Sequence, residues 1–321
     1  MDVIHFPDDP RPPHWRQPVL ALGNFDGLHR GHVKIMERIR RGASERGGTS
    51  VVLTFDPHPP RILRPDKAPS LLMTKAQKID AIERAGIQGV AVVRFTREMS
   101  QWEPETFVQK VLVEWLHVAE VWVGADFLFG RDRSGNFTLL RSLGAQYGFR
   151  AEKIDPIRYK DFVVSSTRIR RLVAEGRVDE AGALLGHQYA IDGTVVEGAK
   201  RGREIGFPTA NLQTDNELIP PHGVYATAIS IDGLMHPSVT NIGTRPTFGD
   251  QQPATHIETH VLLPSPKPQA SSPLDLYGRS VRLAFVQRLR DERKFPDIEA
   301  LQEQIAADVR RAGRLFDRLS V

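Results

Sequence analysis

Short apolar runs alternate with helical patterns through the first half of the chain. The runs that we predict to be strands are Val19–Leu22, 51–55, 90–95, Glu120–Gly124 and 151–154. The intervening segments with apolar positions at helical spacing are 31–46, 75–85, 104–115 and 138–147. In the first of these helices the apolar positions are Val33, Ile35, Met36 and Ile39. A rhythm of strand, helix and strand predicts parallel crossovers and an open α/β sheet, whose ligands bind at the carboxyl ends of the strands.

The pattern changes near residue 187, where helices disappear between the apolar runs. The predicted strands, joined by turns rich in Gly and Pro, are Tyr189–Val196, 224–231, 237–242, 256–263 and 281–288. A helix at 297–311 closes the chain, and 264–273 is a loop by its Pro and Ser content. Such a pattern is typical of a small antiparallel β-barrel. We therefore predict two domains: 1–186 with the open parallel sheet, and 187–321 with the barrel and the C-terminal helix.

Composition narrows the classes of protein to which this chain can belong. With 321 residues, 40% of them hydrophobic, it is long enough for more than one core. The absence of cysteine excludes disulfides, thiolate metal sites and cysteine nucleophiles. Its 43 Lys and Arg and 39 Asp and Glu residues give a net charge of +4, which is too small to indicate nucleic acid. The sequence has no apolar run of about 18 residues and no signal-peptide pattern, so we expect a cytoplasmic protein.

A glycine-rich segment with two histidines follows the first predicted strand. It reads Gly-Asn-Phe-Asp-Gly-Leu-His-Arg-Gly-His at 23–32 and leads directly into the first predicted helix. The free N–H groups and the positive dipole end of that helix make a natural phosphate site, to which His29 and His32 can donate hydrogen bonds. Gly31 between them leaves room for a nucleotide. We therefore predict that phosphate binds here; a purely structural role for the histidines is the alternative.

A second helix start with phosphate-binding side chains comes late in the first half. Ser166 and Thr167 are natural N-cap residues after the fifth predicted strand, and Arg170 follows one turn later. Two hydroxyls, a helix N-terminus and a guanidinium together can hold a triphosphate. We expect this segment to complete the site begun by the two histidines.

Two further motifs make the chain similar to one particular family. Thr-Phe-Asp-Pro-His-Pro stands at 54–59 after the second strand, and Gly-Ala-Asp-Phe-Leu-Phe-Gly stands at 124–130 after the fourth. Together with 23–32 and the helix start at Ser166, they resemble the bacterial bifunctional riboflavin kinase/FMN adenylyltransferases, or FAD synthetases. The resemblance runs from residue 23 to the final helix. It implies a nucleotidyltransferase fold for the first domain and a riboflavin kinase barrel for the second.

The resemblance also implies which residues serve adenylyl transfer. Those for the ATP phosphates are Asn24, His29, His32, Ser166, Thr167 and Arg170. Those for the FMN pocket are Asp56, Pro57, Asp126 and Phe127. The FMN phosphate would attack the α-phosphorus of ATP, and pyrophosphate would leave. Because this nucleophile is already ionised, the protein needs only to align the reactants and neutralise charge, with Mg²⁺ on the phosphates and His29 and His32 as the catalytic residues.

The second domain begins with another glycine-rich and basic segment, at 193–212. It lacks the Gly-Lys-Ser/Thr of a Walker loop, but Gly-Phe-Pro-Thr-Ala-Asn-Leu at 206–212 resembles the signature of riboflavin kinases. That resemblance implies that Thr209 and Asn211 help to place Mg²⁺ and ATP. Further matching segments are 221–226, 241–248 and 288–295. The residues implied for ATP are Gly198, Lys200, Gly202 and Arg203, and those for the flavin are Arg288 and Arg293.

Glu258 matches the catalytic glutamate of the family. It lies in His-Ile-Glu-Thr-His at 256–260, where the period of a strand puts His256, Glu258 and His260 on one face. The ribityl 5′-hydroxyl of riboflavin is an alcohol, which benefits from a carboxylate that accepts its proton. We expect Glu258 to face the Thr209 segment across the barrel. A metal site made of the three polar side chains and a solvated strand face are the alternatives.

The chain departs from the family pattern at three places, and there are two rival hypotheses for its function. Leu263 stands where the family often has Asp, Ala199 where it often has Gly, and 264–273 looks like an inserted loop. One rival function is that of an adenylyltransferase with an inactive barrel. The presence of Thr209, Asn211 and Glu258 argues against it. The other is a nucleic-acid-binding barrel, which needs a basic stripe with stacking aromatic residues. We expect riboflavin, FMN, FAD, ATP and pyrophosphate as ligands, no nucleic acid or membrane, and a monomer or weak homo-oligomer.

Overall fold

The computed structural model describes residues 1–198, 201–244, 255–262 and 276–319. The chain divides into two compact units. The first consists of Met1–Ser70 with Lys75–Ser166, and the second of Leu71–Thr74 with the described residues from Thr167 onward. The boundary that the sequence predicts between residues 186 and 187 stays a prediction.

A six-stranded parallel sheet forms the centre of the first unit. Its strands are β1 (Asp2–Phe6), β2 (Val19–Leu22), β3 (Ser50–Asp56), β4 (Gly89–Arg94), β5 (Glu120–Gly124) and β6 (Arg150–Ile154), in the order β1-β4-β3-β2-β5-β6. All four residues of β2 are buried, as expected of a central strand that is covered on both faces. The predicted open parallel sheet is thus confirmed. The sequence analysis missed β1, an edge strand with a single buried position, Ile4.

Helices surround this sheet close to their predicted positions. They are α1 (Arg30–Arg46), α2 (Pro59–Leu63), α3 (Lys75–Arg84), α4 (Pro104–Phe107) with a π-helix that continues it (Val108–Trp115), and α5 (Phe137–Tyr147). Short 3₁₀ turns lie at Pro65–Lys67, Met99–Gln101 and Arg131–Arg133, and β7 (Arg158–Tyr159) pairs with β8 (Phe162–Val163). Val33 is 37% exposed, so its assignment to the apolar face of α1 is wrong; Ile35, Met36 and Ile39 are buried as predicted.

A closed antiparallel barrel forms the centre of the second unit. Its strands are β9 (Tyr189–Val196), β10 (Ala210–Thr214), β11 (Gly223–Ile231), β12 (Leu234–Thr244), β13 (Thr255–Val261) and β14 (Ser280–Arg290), in the order β10-β13-β12-β11-β14-β9. The associated helices are α6 (Ser166–Ala174), α7 (Val178–Leu185), α8 (Arg201–Glu204) and α9 (Ile298–Leu319). The predicted barrel and C-terminal helix are confirmed, whereas β10 and α7 were not predicted.

The long helix α9 covers one face of the barrel wall. It packs against β11, β12 and β14, and its Ala312 and Phe316 share a core with Val224 and Val239. A buried ion pair between Arg290 of β14 and Asp308 of α9 (2.8 Å) ties the helix to the barrel. Elsewhere α7 packs against β14 and β9, and its buried residues are Val178, Ala181, Leu184 and Leu185. Among the described residues, no helix is both long and apolar enough to cross a membrane.

Candidate active sites

The histidine-containing loop of the first unit joins the end of β2 to the start of α1. Gly23 donates its N–H to the carbonyl of Leu53 on β3 (3.1 Å), which holds the loop at the carboxyl edge of the sheet. Phe25, Gly27 and Leu28 all have positive φ angles (49°, 88° and 39°), and the side chains of Phe25 and Leu28 are buried. The loop therefore has a defined, tightly turned conformation that delivers His29 to the helix start.

His29 is the N-cap residue of α1, and His32 lies beside it. The Nδ1 atom of His29 accepts the N–H of His32 (3.4 Å), a role that Ser, Thr, Asp or Asn usually fills. The two imidazole rings stack with centroids 3.6 Å apart and planes 16° apart. A Cβ on Gly31 would lie 3.1 Å from Cε1 of His29, so the glycine permits this close approach. The predicted pair is thus brought together on the first turn of a helix.

The ring of His32 is buried with one nitrogen that lacks a hydrogen-bond partner among the described residues. Its Nδ1 atom is buried and, in the part of the chain that the structure describes, makes no hydrogen bond. Burial holds the pKa of His32 well below its usual value, and the neighbouring His29 and Lys78 lower that pKa further. Buried polar atoms without a partner are rare, so this atom indicates a place for a ligand.

The helix start at Ser166 is joined to the histidine loop. Ser166 is the first residue of α6, and its Oγ donates to the backbone carbonyl of Asp26 (2.8 Å). Thr167 is exposed and Arg170 is half-buried. The structure therefore brings together the loop and Ser166, two segments that are about 140 residues apart in the sequence.

Lys78 is a residue of this site that the sequence analysis missed. It lies on α3 and is only 9% exposed, and its Nζ donates to Oγ1 of Thr54 (3.4 Å), which in turn donates to the carbonyl of Asn24 (3.1 Å). Burial lowers the pKa of Lys78, whereas Asp26 and Asp56 oppose that effect. The available signal was a lysine at a position of the helical pattern that faces inward.

The residues predicted for FMN lie at the ends of β3 and β5, the two strands that flank β2. Asp56 ends β3 and pairs with Lys75 of α3 (2.9 Å), and the Asp56–Pro57 peptide bond is cis. Asp126 is exposed just after β5. Phe127 is half-buried and stacks on Phe129 (5.4 Å between centroids), which belongs to the core. One edge of the parallel sheet therefore carries all three predicted segments.

In the barrel, Glu258 stands between two asparagines on neighbouring strands. The register pairs Glu258 of β13 with Asn211 of β10 on one side and with Asn241 of β12 on the other. Partners in an antiparallel register share a face, so the three side chains form one polar row. Ile257 and Thr259, which alternate with Glu258, are 3% and 2% exposed. The expectation that Glu258 faces the Thr209 segment across the barrel is wrong, because β10 and β13 are adjacent strands.

The glycines predicted to bind ATP pack closely against the segment from Thr209 to Asn211, which is predicted to help to place Mg²⁺. A Cβ on Gly198 would overlap the side-chain amide of Asn211, and one on Gly202 would overlap the carbonyl of Phe207 and lie 3.2 Å from Oγ1 of Thr209. Lys200 lies outside the described residues, as do Leu263, Ala199, the 264–273 loop and the side chain of Arg203. The glycines thus serve close packing in this structure, and their role toward ATP stays a prediction.

His260 fixes the segment that precedes β10. Its Nδ1 donates to the carbonyl of Pro208 (2.8 Å), and its ring meets that of Phe207 edge-on (5.6 Å). Within the described residues, no group of three or more His, Asp or Glu side chains is arranged to hold a metal ion. The alternative of a metal site made of His256, Glu258 and His260 therefore has no support.

Glu292 is a second acidic residue on the polar face, which the sequence analysis missed. A Cβ on Gly243 of β12 would overlap the Glu292 carboxylate. Gly243 pairs with His256, two residues before Glu258, so Glu292 reaches over the same face of the barrel wall. Because basic residues (Arg290, Arg293 and Lys294) surround Glu292 in the sequence, its local pattern does not indicate this placement.

The two arginines predicted for the flavin lie in different surroundings. Arg288 donates to the carbonyl of His222 (2.6 Å), pairs with Asp291 (2.9 Å) and lies over the ring of Tyr225, its partner in the register. Tyr225 shares a face with Thr259, so Arg288 belongs to the face opposite Glu258. Arg293 donates to Gln304 of α9 and lies over the ring of Phe295 (4.9 Å). The structure does not bring these two arginines to the Glu258 row.

Comparisons with known proteins match both halves of the chain. Residues 11–168 match the family model of FAD synthetase, and residues 185–316 match that of riboflavin kinase. Proteins named bifunctional riboflavin kinase/FMN adenylyltransferase are similar over most of their length. That of Pseudomonas fluorescens is 38% identical over 95% of this chain and 94% of its own. The chain belongs to the bifunctional riboflavin kinase/FMN adenylyltransferase family.

Other members of this family agree with that assignment, and one solved structure has a similar fold. The proteins of Escherichia coli K12 and Bacillus subtilis 168 are each 36% identical, over 93% and 94% of this chain and 92% and 93% of their own. A crystal structure described as a macrolide-efflux protein from Streptococcus pneumoniae has a TM-score of 0.84 at 27% identity, covering 96% of this chain and 97% of that one. The histidine loop thus lies in the FAD synthetase domain and Glu258 in the riboflavin kinase domain, which confirms the predicted order of the two activities.

Proposed function

We propose that the chain converts riboflavin to FAD in two ATP-dependent steps with separate active sites. The barrel phosphorylates riboflavin to FMN, and the first domain adenylylates FMN and releases pyrophosphate. The observation that supports this division is that the two sites differ in chemistry. One presents stacked histidines at a helix start, and the other presents a carboxylate between two asparagines. The first suits a nucleophile that is already ionised, and the second suits an alcohol that must lose a proton.

In the adenylyl-transfer step, an oxygen of the FMN phosphate forms a bond to the α-phosphorus of ATP. The bond from that phosphorus to the bridging oxygen breaks, and pyrophosphate leaves with the electron pair. His29 and His32 donate to the ATP phosphates from the first turn of α1, where the helix dipole also favours negative charge. Ser166, Thr167, Arg170 and Asn24 also bind the ATP phosphates. Asp56, Pro57, Asp126 and Phe127 shape the FMN pocket along the same edge of the sheet.

In the kinase step, Glu258 accepts the proton of the ribityl 5′-hydroxyl as the γ-phosphoryl group transfers to that oxygen. Asn211 and Asn241 on either side orient the carboxylate. Gly198, Lys200, Gly202 and Arg203 border the ATP phosphates. Arg288 and Arg293, which do not lie in the Glu258 row, would contact parts of the flavin other than its 5′-hydroxyl. General-base assistance of this kind contributes about 10²–10⁴ in rate.

A divalent cation, Mg²⁺ in the first instance, is the metal that both steps would use. In the barrel, Asn211 pairs in the register with Glu258, and Thr209 precedes Asn211 by two residues. Their side-chain oxygens fit the hard-oxygen preference of Mg²⁺. Thr209 and Asn211 would hold the ion there together with the ATP phosphates. When bound, the ion neutralises phosphate charge and helps to align the transferring group. In this proposal the protein works in the cytoplasm, where ATP is at hand, as a monomer or weak homo-oligomer.

Chromatography of the flavins tests the proposal. Incubation of the full chain with riboflavin, ATP and Mg²⁺ should give FMN first and FAD later, with one pyrophosphate released per FAD. The same mixture with excess EDTA should give neither product. Pyrophosphate release that does not match FAD, or FAD that forms without an FMN phase, would contradict the two-step scheme.

A further inference from the structure

The hydrogen bonds and ion pairs of the buried Lys78 amine do not by themselves account for its burial. In the part of the chain that the structure describes, Thr54 is its one hydrogen-bond partner, at the long distance of 3.4 Å, and no carboxylate lies within ion-pair distance. The nearby Asp56 already has a cation of its own, because Lys75 reaches it at 2.9 Å. Long cationic side chains are almost never this deeply buried without a charged partner. A charged partner from outside the protein would satisfy the amine.

The position of Lys78 lies between the two groups of residues proposed to bind the substrates. His32, on the ATP side, is close enough for the Lys78 charge to lower the pKa of its ring. On the FMN side its neighbours are Thr54, Asp56 and Lys75, and Asp26 of the histidine loop is a further charged neighbour of the amine. The reaction requires the FMN phosphate to approach the α-phosphate of ATP, and two anions repel each other at that point. A cation placed between them is what such an approach needs.

We propose that Lys78 is a further catalytic residue of the adenylyl-transfer step, whose ammonium group contacts the FMN phosphate and the α-phosphate of ATP where they meet. This inference rests on the proposed phosphate site at the start of α1. Burial alone lowers the pKa of the amine, and an arriving phosphate would raise it again, since opposite charges favour the charged form. The bonds that form and break are those of the proposed step, and Lys78 neither gives up nor takes a proton.

The competing explanation is that Lys78 balances the buried carboxylate of Asp26, which is 2% exposed. Removal of a lysine that only balances Asp26 would leave the buried carboxylate without that compensating charge and would destabilise the fold. A second change, Asp26→Asn, would then relieve the defect. The two explanations therefore differ in the behaviour of the double variant.

The test compares Lys78→Met, the double variant Lys78→Met/Asp26→Asn, Asp26→Asn alone and Lys34→Met, all in the full chain. Lys34 is an exposed lysine on α1 and serves as the matched control. Each variant is assayed for kcat and KM in FMN adenylylation, for its melting curve as the measure of folding, and for riboflavin phosphorylation as a check that the barrel is intact. We expect both Lys78 variants to lose about 10²–10³ in kcat/KM for FMN adenylylation. Lys34→Met and all kinase rates should stay normal.

Three results would overturn the inference. They are adenylylation by Lys78→Met within threefold of normal, recovery by the double variant to the rate of Asp26→Asn alone, and failure of both Lys78 variants to fold. His29→Ala, run in parallel, separates this inference from the proposal on which it rests. Loss of FAD formation in His29→Ala with a normal rate in Lys78→Met would refute only the role of Lys78. Normal rates in both would refute the phosphate site itself.

Discussion

Histidine at an N-cap position gives up some of the stability that a smaller polar residue would provide. Ser, Thr, Asp and Asn cap helices best, and their loss typically costs about 1 kcal/mol. At His29 the capping bond is long (3.4 Å), and the ring instead lies against His32. A weak cap beside an unsatisfied Nδ1 of His32 is the kind of local compromise that functional sites show.

Gly198 offers the sharpest single-residue test of the kinase site. A methyl group at this position would overlap the side chain of Asn211 and displace it from the Glu258 row. We expect Gly198→Ala to lower kcat for riboflavin phosphorylation by about tenfold or more, because small misplacements near the reacting atoms have large effects. FMN adenylylation, measured on the same protein, should be unchanged.

Gly313→Ala is the matched control for this substitution. Gly313 lies in α9 with nothing within 4 Å of where its Cβ would be, so both activities should persist. If Gly198→Ala phosphorylates riboflavin as fast as Gly313→Ala does, close packing of Asn211 against residue 198 has no role in the reaction.

The residues with a distinctive local motif could be predicted from the sequence. As expected, His29 and Ser166 each lie at the start of a helix, and Glu258 lies on a strand. Glu292 could not be predicted, because what distinguishes it is a contact with a distant strand, and an acid in a basic run carries no such information. Lys78 has one signal in the sequence, an inward-facing position four residues before Ile82, but only the structure shows the contacts of its amine.

At the scale of elements, β10 explains the one wrong prediction about the kinase site. Ala210–Thr214 has only five residues, follows a proline closely and has Leu212 as its one large apolar side chain, so it contains no apolar run that would mark a strand. Only its pairing with β9 and β13 makes it a strand. Once β10 lies between them, Glu258 and Asn211 become neighbours and no longer face each other across the barrel.

Helix α7 belongs with the barrel in its packing, although the sequence-based boundary assigns it to the first domain. The test compares the fragment 176–321, which contains α7, with the fragment 187–321, which lacks it. Loss of α7 removes Ala181 and three larger buried apolar side chains from contact with the barrel unit, and each of those three typically contributes about 1.5–3 kcal/mol. We expect the shorter fragment to be unfolded or to melt at least roughly 10 °C lower, whereas the longer one makes FMN from riboflavin.

Glu258→Gln in the 176–321 fragment serves as the control, since it should fold but lose the kinase rate. Equal melting temperatures and equal kinase rates for the two fragments would show that the barrel does not need α7. The boundary between residues 186 and 187 would then stand as the sequence suggests.

At the scale of the molecule, we propose that FMN is a free intermediate between two sites of different chemistry. The parallel sheet carries the first set of residues at one edge, and the barrel carries the second on its polar face. Each set lies within its own unit, apart from α6, which begins at the last residue of the first unit. Damage to one set should therefore leave the other reaction intact.

The most direct test of this central claim is a crossed measurement on two full-length variants. Glu258→Gln keeps the shape of the side chain and removes the base, so riboflavin phosphorylation should fall by about 10²–10⁴ while FMN is still converted to FAD. His29→Ala should make FMN normally and lose about 10²–10³ in FAD formation. A mixture of the two proteins should then convert riboflavin to FAD. Glu258→Gln that phosphorylates riboflavin at close to the normal rate, or a mixture that stops at FMN while each variant retains its expected single activity, would contradict the account.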